Sequence, residues 1–290
     1  MGTPDSTLDS TRLRSELVTP AGPYSALDVV AITGSTNADL CAAAGHGAAD
    51  RTVLIAGQQT AGVGRLSRSW SSPAGTGLYL SVLLRPQGVA LEGVGSLAIV
   101  AGLALMDLAR VVAVPTALKW PNDVLAGAAE PRAKCAGILS ELVPLPGGRE
   151  FAVVLGIGVN VLPLTGVPPG PGGLPATSLA EHGANTTDRG EVAIVLLRAL
   201  ADREQRWRQA GGDLAAADLL AEYREYCSTL GARVRVDLPD GAGMSGRAVD
   251  VDSRGQLVVE SAEGARHTVS AGDVVHVRVH GDEQGDSRYR

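Results

Sequence analysis

Dense runs of hydrophobic residues mark the first strands of the chain. Ala26–Ile32, Thr52–Ala56 and Leu78–Leu84 are rich in Val, Ile and Leu, which favours buried strands. Leu91–Ala109 differs, because its apolar residues recur at the spacing of a buried helix. Three predicted strands are therefore followed by a predicted buried helix.

A hairpin is predicted next along the chain. Ala136–Val143 and Phe151–Leu162 have the composition of strands, and a Pro- and Gly-rich turn separates them. Residues 163–176 hold five prolines and four glycines, which predicts a long surface loop. Helical spacing then returns in two segments, Glu191–Arg208 and Asp213–Ser228.

The pattern changes again after Leu230. Apolar residues alternate with charged ones from 233 to 238, which is typical of a half-exposed strand. Turn-separated runs of the same kind predict five short strands and hence a small barrel: 234–238, 246–251, 256–260, 265–269 and 274–279. The fold class is therefore α+β, a sheet-and-helix body followed by a small β-barrel. We expect a flexible tail at 1–22, a body at 23–229, a barrel at 230–279 and a second tail at 280–290.

Composition narrows the class of protein. Hydrophobic residues make up 45 % of the chain, enough for a large core, and the net charge of −6 argues against a surface that binds nucleic acid. Three scattered cysteines form neither a disulfide framework nor a zinc motif. The polar N-terminus lacks a secretory signal, and the apolar run Val94–Met106 is too short to cross a bilayer. These features predict a cytoplasmic protein without a membrane partner.

Lysine is almost absent. Of 25 basic residues only two are lysines, Lys119 and Lys134, and neither follows a glycine, which excludes a G-x-x-x-x-G-K phosphate loop. A lysine retained in an arginine-rich chain suggests a position where a compact point charge is needed. The inference is stronger for Lys119, because this lysine has apolar neighbours and directly precedes a Trp-Pro turn.

Four segments carry candidate chemistry. Gly34-Ser35-Thr36-Asn37 follows a strand and precedes the helical run 38–44, where its hydroxyls serve either as an ordinary N-cap or as ligand contacts. The loop from Gln58 to Trp70 combines glycines with two arginines, a pattern suited to an anion. The other two segments are 118–125, which contains Lys119, and 134–141 with Gly156-Ile157-Gly158-Val159-Asn160 beside it. Glycines inside two neighbouring strands indicate room for a ligand.

These segments, in this order, resemble the motif set of the biotin–protein ligases, and Ala176-Thr177-Ser178-Leu179 adds a sixth match. The resemblance runs from about Leu27 to His276. It implies a central mixed β-sheet with flanking helices, of the class II synthetase-like kind, and a C-terminal SH3-like barrel. It also implies a ligase that couples biotin to ATP through biotinyl-5′-AMP, with Mg²⁺ as activator. The biotin then passes to one lysine of a carrier domain of acetyl-CoA, acyl-CoA or pyruvate carboxylase.

The resemblance also assigns roles to residues. Biotin is expected to contact Ser35, Thr36, Asn37, Gln59, Val63, Gly64, Arg65, Lys119, Gly137, Ile138, Gly156 and Gly158. ATP is expected to contact Arg65, Arg68, Trp70, Lys119, Asn122 and Asn160, with Trp70 stacked on adenine. Lys119 and Arg65 would be the catalytic cations, and the glycines of the paired strands would form the biotin floor. No protein side chains are expected to form a resident metal site.

Two positions depart from the family loop G-R-G-R-x-G-R-x-W. Val63 stands where the family has its first arginine, and Ser67 stands where it has a glycine. The first change removes a cation near the biotin carboxylate. If only the backbone N–H at 63 contacts the ligand, Val63 serves equally well; if the side chain contacts it, adenylate retention weakens.

Three other functional classes share features with this sequence. A lipoate or octanoate ligase or transferase shares the fold, but the loop and Lys119 motifs favour biotin. A biotin-responsive repressor adds an N-terminal DNA-binding domain, whereas only 33 residues precede Gly34 and they lack a helical apolar pattern. A biotin carrier has a Met beside its target lysine, and neither Lys119 nor Lys134 has a Met neighbour.

His276 and His280 do not form a predicted metal site, because no third ligand accompanies them.

Overall fold

Seven strands form the central sheet of the body. A computed structural model describes residues 8–71, 73–145, 150–237, 243–270 and 272–276. The strands lie in the order β1-β2-β3-β7-β6-β5-β4, with β1 and β2 parallel and the other pairs antiparallel. Their bounds are β1 Ala26–Val30, β2 Thr52–Ala56, β3 Gly77–Leu84, β4 Thr116–Lys119, β5 Asp123–Ala126, β6 Ala133–Pro144 and β7 Phe151–Asn160. The predicted mixed sheet is confirmed.

Helices flank this sheet, and one of them is the centre of the core. Their bounds are α1 Ser10–Leu17, α2 Thr36–Gly45, α3 Leu97–Val111, α4 Arg189–Gln209 and α5 Leu220–Tyr226. Helix α3 is apolar on nearly all sides because it packs against both the sheet and α4. Together with the preceding 3-10 turn it makes a helical segment, Leu91–Val111, that is long and apolar enough to cross a membrane by composition, but most of it is buried inside the protein.

A second sheet follows the body. Its five antiparallel strands lie in the order β11-β10-β9-β8-β12 and agree with the period-two pattern of the sequence. Their bounds are β8 Arg233–Asp237, β9 Gly243–Val251, β10 Leu257–Glu260, β11 Arg266–Val269 and β12 Asp273–His276. The predicted tail at 280–290 and residues 277–279 of the last predicted strand lie outside the described residues.

The second sheet packs against the turn between β4 and β5. The indole N–H of Trp120 donates to the Gly255 carbonyl (2.9 Å), and its backbone N–H donates to Thr229 Oγ1 (3.0 Å). Trp120 is only 1 % exposed. Residues near the second sheet therefore hold the turn that leads out of Lys119.

Two predictions about secondary structure are wrong in part. Within the predicted flexible tail, residues 10–17 form α1, because Leu13 and Leu17 pack into the core from one helix face and the Asp9 carboxylate caps the first turn. The predicted helix Asp213–Ser228 shrinks to α5. Its first half forms turns in which the Asp213 carboxylate accepts two backbone N–H groups.

The hairpin β4–β5 has no counterpart among the predicted strands. Each strand has four residues, and Pro121 interrupts the apolar pattern between them. The other predictions in this region are confirmed. Strands β6 and β7 pair as a hairpin, and 163–176 is a loop with one 3-10 turn, Pro171–Gly173, and isolated β-bridges at its C-terminal end.

Candidate active site

One cavity contains every site residue predicted from the sequence. It lies between the N-terminus of α2, the loop 58–71, the turn after β4 and the middle of the β6–β7 hairpin. The predicted residues that line it are Ser35, Thr36, Asn37, Gln59, Val63, Gly64, Arg65, Arg68, Trp70, Lys119, Asn122, Gly137, Ile138, Gly156, Gly158 and Asn160. The fold thus brings together segments that are more than a hundred residues apart.

The N-terminus of α2 forms the polar end of the cavity. Ser35 is the N-cap, and its hydroxyl accepts from the Ala38 N–H at 3.4 Å. The Thr36 backbone N–H donates to Gln59 Oε1 (2.9 Å), and the Thr36 hydroxyl lies 3.1 Å from the same oxygen. Thr36 and Asn37 are both almost completely buried. This end therefore offers fixed hydroxyl and amide groups to a polar ligand, shielded from water.

Gly156 makes room for Asn37. A Cβ atom on Gly156 would lie 2.1 Å from Asn37 Oδ1, so only glycine lets this side chain lie across the sheet. The amide N–H of Asn37 donates to Glu141 Oε2 (2.6 Å) on β6, while Ser81 Oγ lies 2.6 Å from Oδ1 on the other side. Both ends of the Asn37 side chain are thus held by protein groups.

Gly137 and Gly158 form a platform for Trp70. The two glycines are directly opposite each other in the β6–β7 ladder. A Cβ on Gly158 would approach the indole to 2.6 Å, and one on Gly137 would approach it to 2.9 Å. The sequence predicted that these glycines form the biotin floor, whereas in the structure the Trp70 ring covers them. Their contact with biotin stays a prediction.

Both lysines of the chain line the cavity and share one carboxylate. Lys134 Nζ lies 2.5 Å from Asp123 Oδ1, and Lys119 Nζ lies 3.8 Å from Asp123 Oδ2. Lys134 also lies over the Trp70 ring, 5.3 Å from its centroid. The predicted site included only Lys119. The rarity of lysine applied equally to Lys134 and was the signal that could have identified it.

The loop that carries the arginines is closed on itself. Gly64 N–H donates to the Arg68 carbonyl (2.6 Å), and Trp70 N–H donates to the Gly62 carbonyl (2.8 Å). A 3-10 turn, Arg65–Ser67, forms the tip, and Ser67 there has φ of 56°, a left-handed conformation that favours glycine. The family glycine that Ser67 replaces would adopt this conformation without strain.

Two asparagines complete the wall beside β7. Asn122 Nδ2 donates to the Ile138 carbonyl (2.7 Å), and Asn160 Nδ2 donates to the Thr177 carbonyl (2.9 Å). Asn160 is 2 % exposed, and its Oδ1 has no hydrogen-bond partner among the residues that the structure describes. A buried acceptor in this state indicates a missing donor or cation.

Apolar side chains also line the cavity. They come from the 163–176 loop and from the second sheet, and belong to Leu164, Val167, Pro168, Leu174 and Val274. The sequence predicted a surface loop here without assigning it to the site, because Pro and Gly indicate irregular backbone and not its neighbours. The cavity lining therefore combines apolar side chains with charged ones.

No group of three or more His, Cys, Asp or Glu side chains that could hold a metal occurs in the described part of the chain. His276 Nε2 instead lies 3.1 Å from Thr229 Oγ1, and burial together with the nearby Lys119 cation lowers the pKa of its imidazole. His280 lies outside the described residues.

Comparison with known proteins gives a consistent result. Residues 43–160 match the family model described as "Biotin/lipoate A/B protein ligase family", and residues 229–277 match "Biotin protein ligase C terminal domain". The chain is 45 % identical to a biotin–acetyl-CoA-carboxylase ligase of Mycobacterium tuberculosis, over 93 % of this chain and 96 % of that one. It is 31 % identical to the bifunctional ligase/repressor BirA of Bacillus subtilis, over 84 % of this chain and 71 % of that one.

Solved structures show the same fold. A biotin protein ligase from Aquifex aeolicus in complex with biotin and ATP superposes with a TM-score of 0.69 at 26 % identity, covering 88 % of this chain and 100 % of that one.

Proposed function

We propose that this chain, which belongs to the biotin/lipoate A/B protein ligase family, catalyses the ATP-dependent attachment of biotin to a carrier of acetyl-CoA carboxylase. The relatives at 45 % and 32 % identity are both biotin–acetyl-CoA-carboxylase ligases, which favours biotin over lipoate as the substrate. The observation that carries the proposal is a single cavity with a polar, water-shielded end at Thr36 and a cationic end at Lys119, Lys134 and Arg65.

The polar groups at the two ends of biotin match the two ends of the cavity. The ureido ring of biotin needs hydrogen-bond partners, which the α2 end offers, and its carboxylate would point towards the lysines. The nucleotide would occupy the side of Trp70, whose ring would stack on adenine. Two anions, a carboxylate and a triphosphate, then meet beside Lys119 and Lys134, which offset their repulsion.

The reaction has two steps. In the first, a biotin carboxylate oxygen bonds to the α-phosphorus of ATP and the bond to the bridging β-phosphate oxygen breaks, releasing pyrophosphate. In the second, the amine of a carrier lysine attacks the acyl carbon, the bond to the phosphate oxygen breaks, and AMP leaves. No protein side chain becomes acylated, so positioning and charge stabilisation carry the rate.

Mg²⁺ would bind mainly to the triphosphate, because protein sites usually hold it through one or two oxygen ligands and substrate phosphates. Asn160 Oδ1 fits this role, as a buried oxygen with no partner among the described residues. The carboxylate of Asp123 is already engaged by Lys134 at 2.5 Å. When bound, the cation would neutralise charge on the departing pyrophosphate.

The proposed partner is the biotin carrier domain of acetyl-CoA carboxylase, with the carriers of acyl-CoA or pyruvate carboxylase as further candidates. No role in binding nucleic acid or membranes is proposed. A cytoplasmic location agrees with three free cysteines, of which Cys135 and Cys227 are buried.

The test is incubation of the chain with ATP, Mg²⁺, labelled biotin and a purified unmodified carrier domain. We expect one label per carrier, together with AMP and pyrophosphate, and no label on a carrier whose target lysine is replaced by Arg. Excess lipoate should not compete. Labelling that lipoate suppresses at equal concentration would favour the lipoate alternative instead.

A further inference from the structure

The segment 227–229, which leads from α5 to the second sheet, runs along the outer edge of β4. Strand β4 is the last in the strand order of the central sheet and has β5 as its neighbour on one side. On the other side Leu118 forms an isolated parallel bridge with Cys227. The Leu118 carbonyl accepts from the Ser228 backbone N–H (2.8 Å) and from the Ser228 hydroxyl (2.9 Å). The segment 227–229 thus takes the place of a neighbouring strand beside Lys119.

A further hydrogen bond from this segment lies on the other side of Lys119. The Trp120 backbone N–H donates to Thr229 Oγ1 at 3.0 Å, and Thr229 is 0 % exposed. The Leu118 carbonyl belongs to the peptide group before Lys119 Cα, and the Trp120 N–H belongs to the peptide group after it. Because peptide groups are planar, holding both of them restricts both backbone dihedrals of Lys119. Ser228 and Thr229 therefore fix the direction in which the Lys119 side chain leaves the strand.

The Thr229 hydroxyl is itself held from the second sheet. His276 Nε2, on β12, lies 3.1 Å from Thr229 Oγ1. Val274, on the same strand, lines the cavity. Strand β12 therefore contributes both to the cavity wall and to the backbone support of Lys119.

The direction of the Lys119 side chain matters because its ammonium group lies in the cavity. Lys119 is buried there, and its Nζ lies 3.8 Å from Asp123 Oδ2. A cation stabilises charge that develops in a transition state when it is already in place, and a misplacement of about 1 Å can lower a rate about a hundredfold. Ser228 and Thr229 do not line the cavity, so they act on a substrate only through other residues.

We propose that Ser228 and Thr229 are positioning residues that hold the ammonium group of Lys119 where the biotin carboxylate meets the α-phosphate of ATP. This inference rests on the proposed function, in which Lys119 offsets the charge of the two anions. Loss of either hydroxyl should lower kcat more than it raises either KM, because the charge that Lys119 stabilises is greatest in the transition state.

The first test removes the hydroxyl groups. Thr229→Val keeps the shape of the side chain but leaves the buried Trp120 N–H without its acceptor. The kcat for pyrophosphate release should fall about ten- to hundredfold, while the KM values for biotin and ATP stay within about threefold of wild type. Ser228→Ala should have a smaller effect, because the Ser228 backbone N–H still donates to the Leu118 carbonyl. Thr229→Ser keeps the hydroxyl and should restore the wild-type kcat to within about twofold. A wild-type kcat in Thr229→Val would overturn the proposal.

Two control variants separate positioning from a general loss of stability. Tyr24→Phe removes a buried hydrogen bond of 2.7 Å to the Leu197 carbonyl, outside the cavity. Thr116→Val makes the same exchange as Thr229→Val on β4 itself, where the Thr116 hydroxyl lies 3.5 Å from Met106 Sδ. Both controls should keep the wild-type kcat. If either lowers kcat as much as Thr229→Val does at an equal loss of melting temperature, the role of Thr229 is structural only and the proposal is overturned.

A spectroscopic test observes Lys119 directly. The chain has two lysines, Lys119 and Lys134, so protein labelled with a carbon isotope at lysine Cε gives two side-chain NMR signals. Lys119→Arg and Lys134→Arg assign them, because each variant removes one signal. In Thr229→Val without substrates, the Lys119 signal should shift or broaden and the Lys134 signal should move much less. An unmoved Lys119 signal would overturn the proposal, and this readout does not depend on the proposed function.

A double-mutant cycle tests whether Thr229 acts through Lys119. In a Lys119→Arg background, Thr229→Val should change kcat by less than about twofold, because the ammonium group that it positions is gone. An undiminished effect in that background would contradict the positioning role. Wild-type protein that releases no pyrophosphate with biotin and ATP would refute the proposed function, whereas an active wild type with an unaltered Thr229→Val variant would refute only the positioning role.

Discussion

The substitution Gly158→Ala tests whether the glycine platform under Trp70 serves the nucleotide. The added Cβ would lie 2.6 Å from the indole Nε1 and Cε2, whereas carbon contacts are comfortable at about 3.5–4.0 Å. Because the nearest indole atoms belong to a rigid ring and Gly158 is held between β3 and β6, the ring must retreat by about 1 Å.

The expected loss of ATP binding follows from the groups that contact the Trp70 ring. Moving it weakens the contact with Lys134, 5.3 Å from the ring centroid, which is worth about 0.5–2 kcal/mol for a cation–π pair. If adenine stacks on the ring in its present position, the KM for ATP should rise about 2- to 30-fold. The KM for biotin should change less, because Thr36 and Gln59 lie at the other end of the cavity.

Two measurements check this. Steady-state pyrophosphate release gives both KM values, and tryptophan emission reports the ring itself, since Trp120 and Trp207 are fully buried and Trp70 is only half-buried. Gly45→Ala is the matched control, because nothing lies within 4 Å of its added Cβ. A Gly158→Ala protein with altered emission but a wild-type KM for ATP would refute the role of Trp70 in nucleotide binding.

Four further outcomes are expected. Lys119→Arg should reduce the rate of pyrophosphate release about a hundredfold, because Lys119 is only 8 % exposed and a guanidinium is larger than the ammonium group it replaces. A near wild-type rate would show that Lys119 has no catalytic role. Val63→Arg should slow dissociation of biotinyl-adenylate about tenfold if the arginine side chain, and not the backbone N–H, contacts the ligand; an unchanged off-rate supports the backbone alone. Ser67→Gly should relieve about 1 kcal/mol of left-handed strain at φ 56° and lower the KM for ATP, and a raised KM would contradict this. In the His276→Gln variant the melting temperature should fall less than in wild type as the pH is lowered. The pKa of His276 is lowered in the folded protein, so the unfolded chain takes up the proton first. The stability of the wild type therefore falls as the pH drops below about 6.5. Equal pH dependence of the variant and the wild type would exclude His276 as a source.

The residue types of the site were predictable from the sequence because its motifs are local. Gly34–Asn37, the loop to Trp70 and the segment after Lys119 each carry their chemistry within a few neighbouring residues. Period-two alternation likewise predicted the second sheet, since the pattern depends only on which residues face a core. The short hairpin β4–β5 was missed because four-residue strands interrupted by proline leave almost no periodic signal.

Contacts between different strands, loops and helices were decided by the tertiary structure alone. That Asp123 lies between both lysines, that Trp70 covers Gly137 and Gly158, and that Ser81 connects Thr36 to Asn37 all depend on strand order and register. These partners are 4 to 88 residues apart in the chain. A one-residue slip of β7 would turn Gly156 and Gly158 away from the cavity, and no local pattern records that choice. The sequence by itself therefore determined which groups are available, and the sheet determined which of them meet.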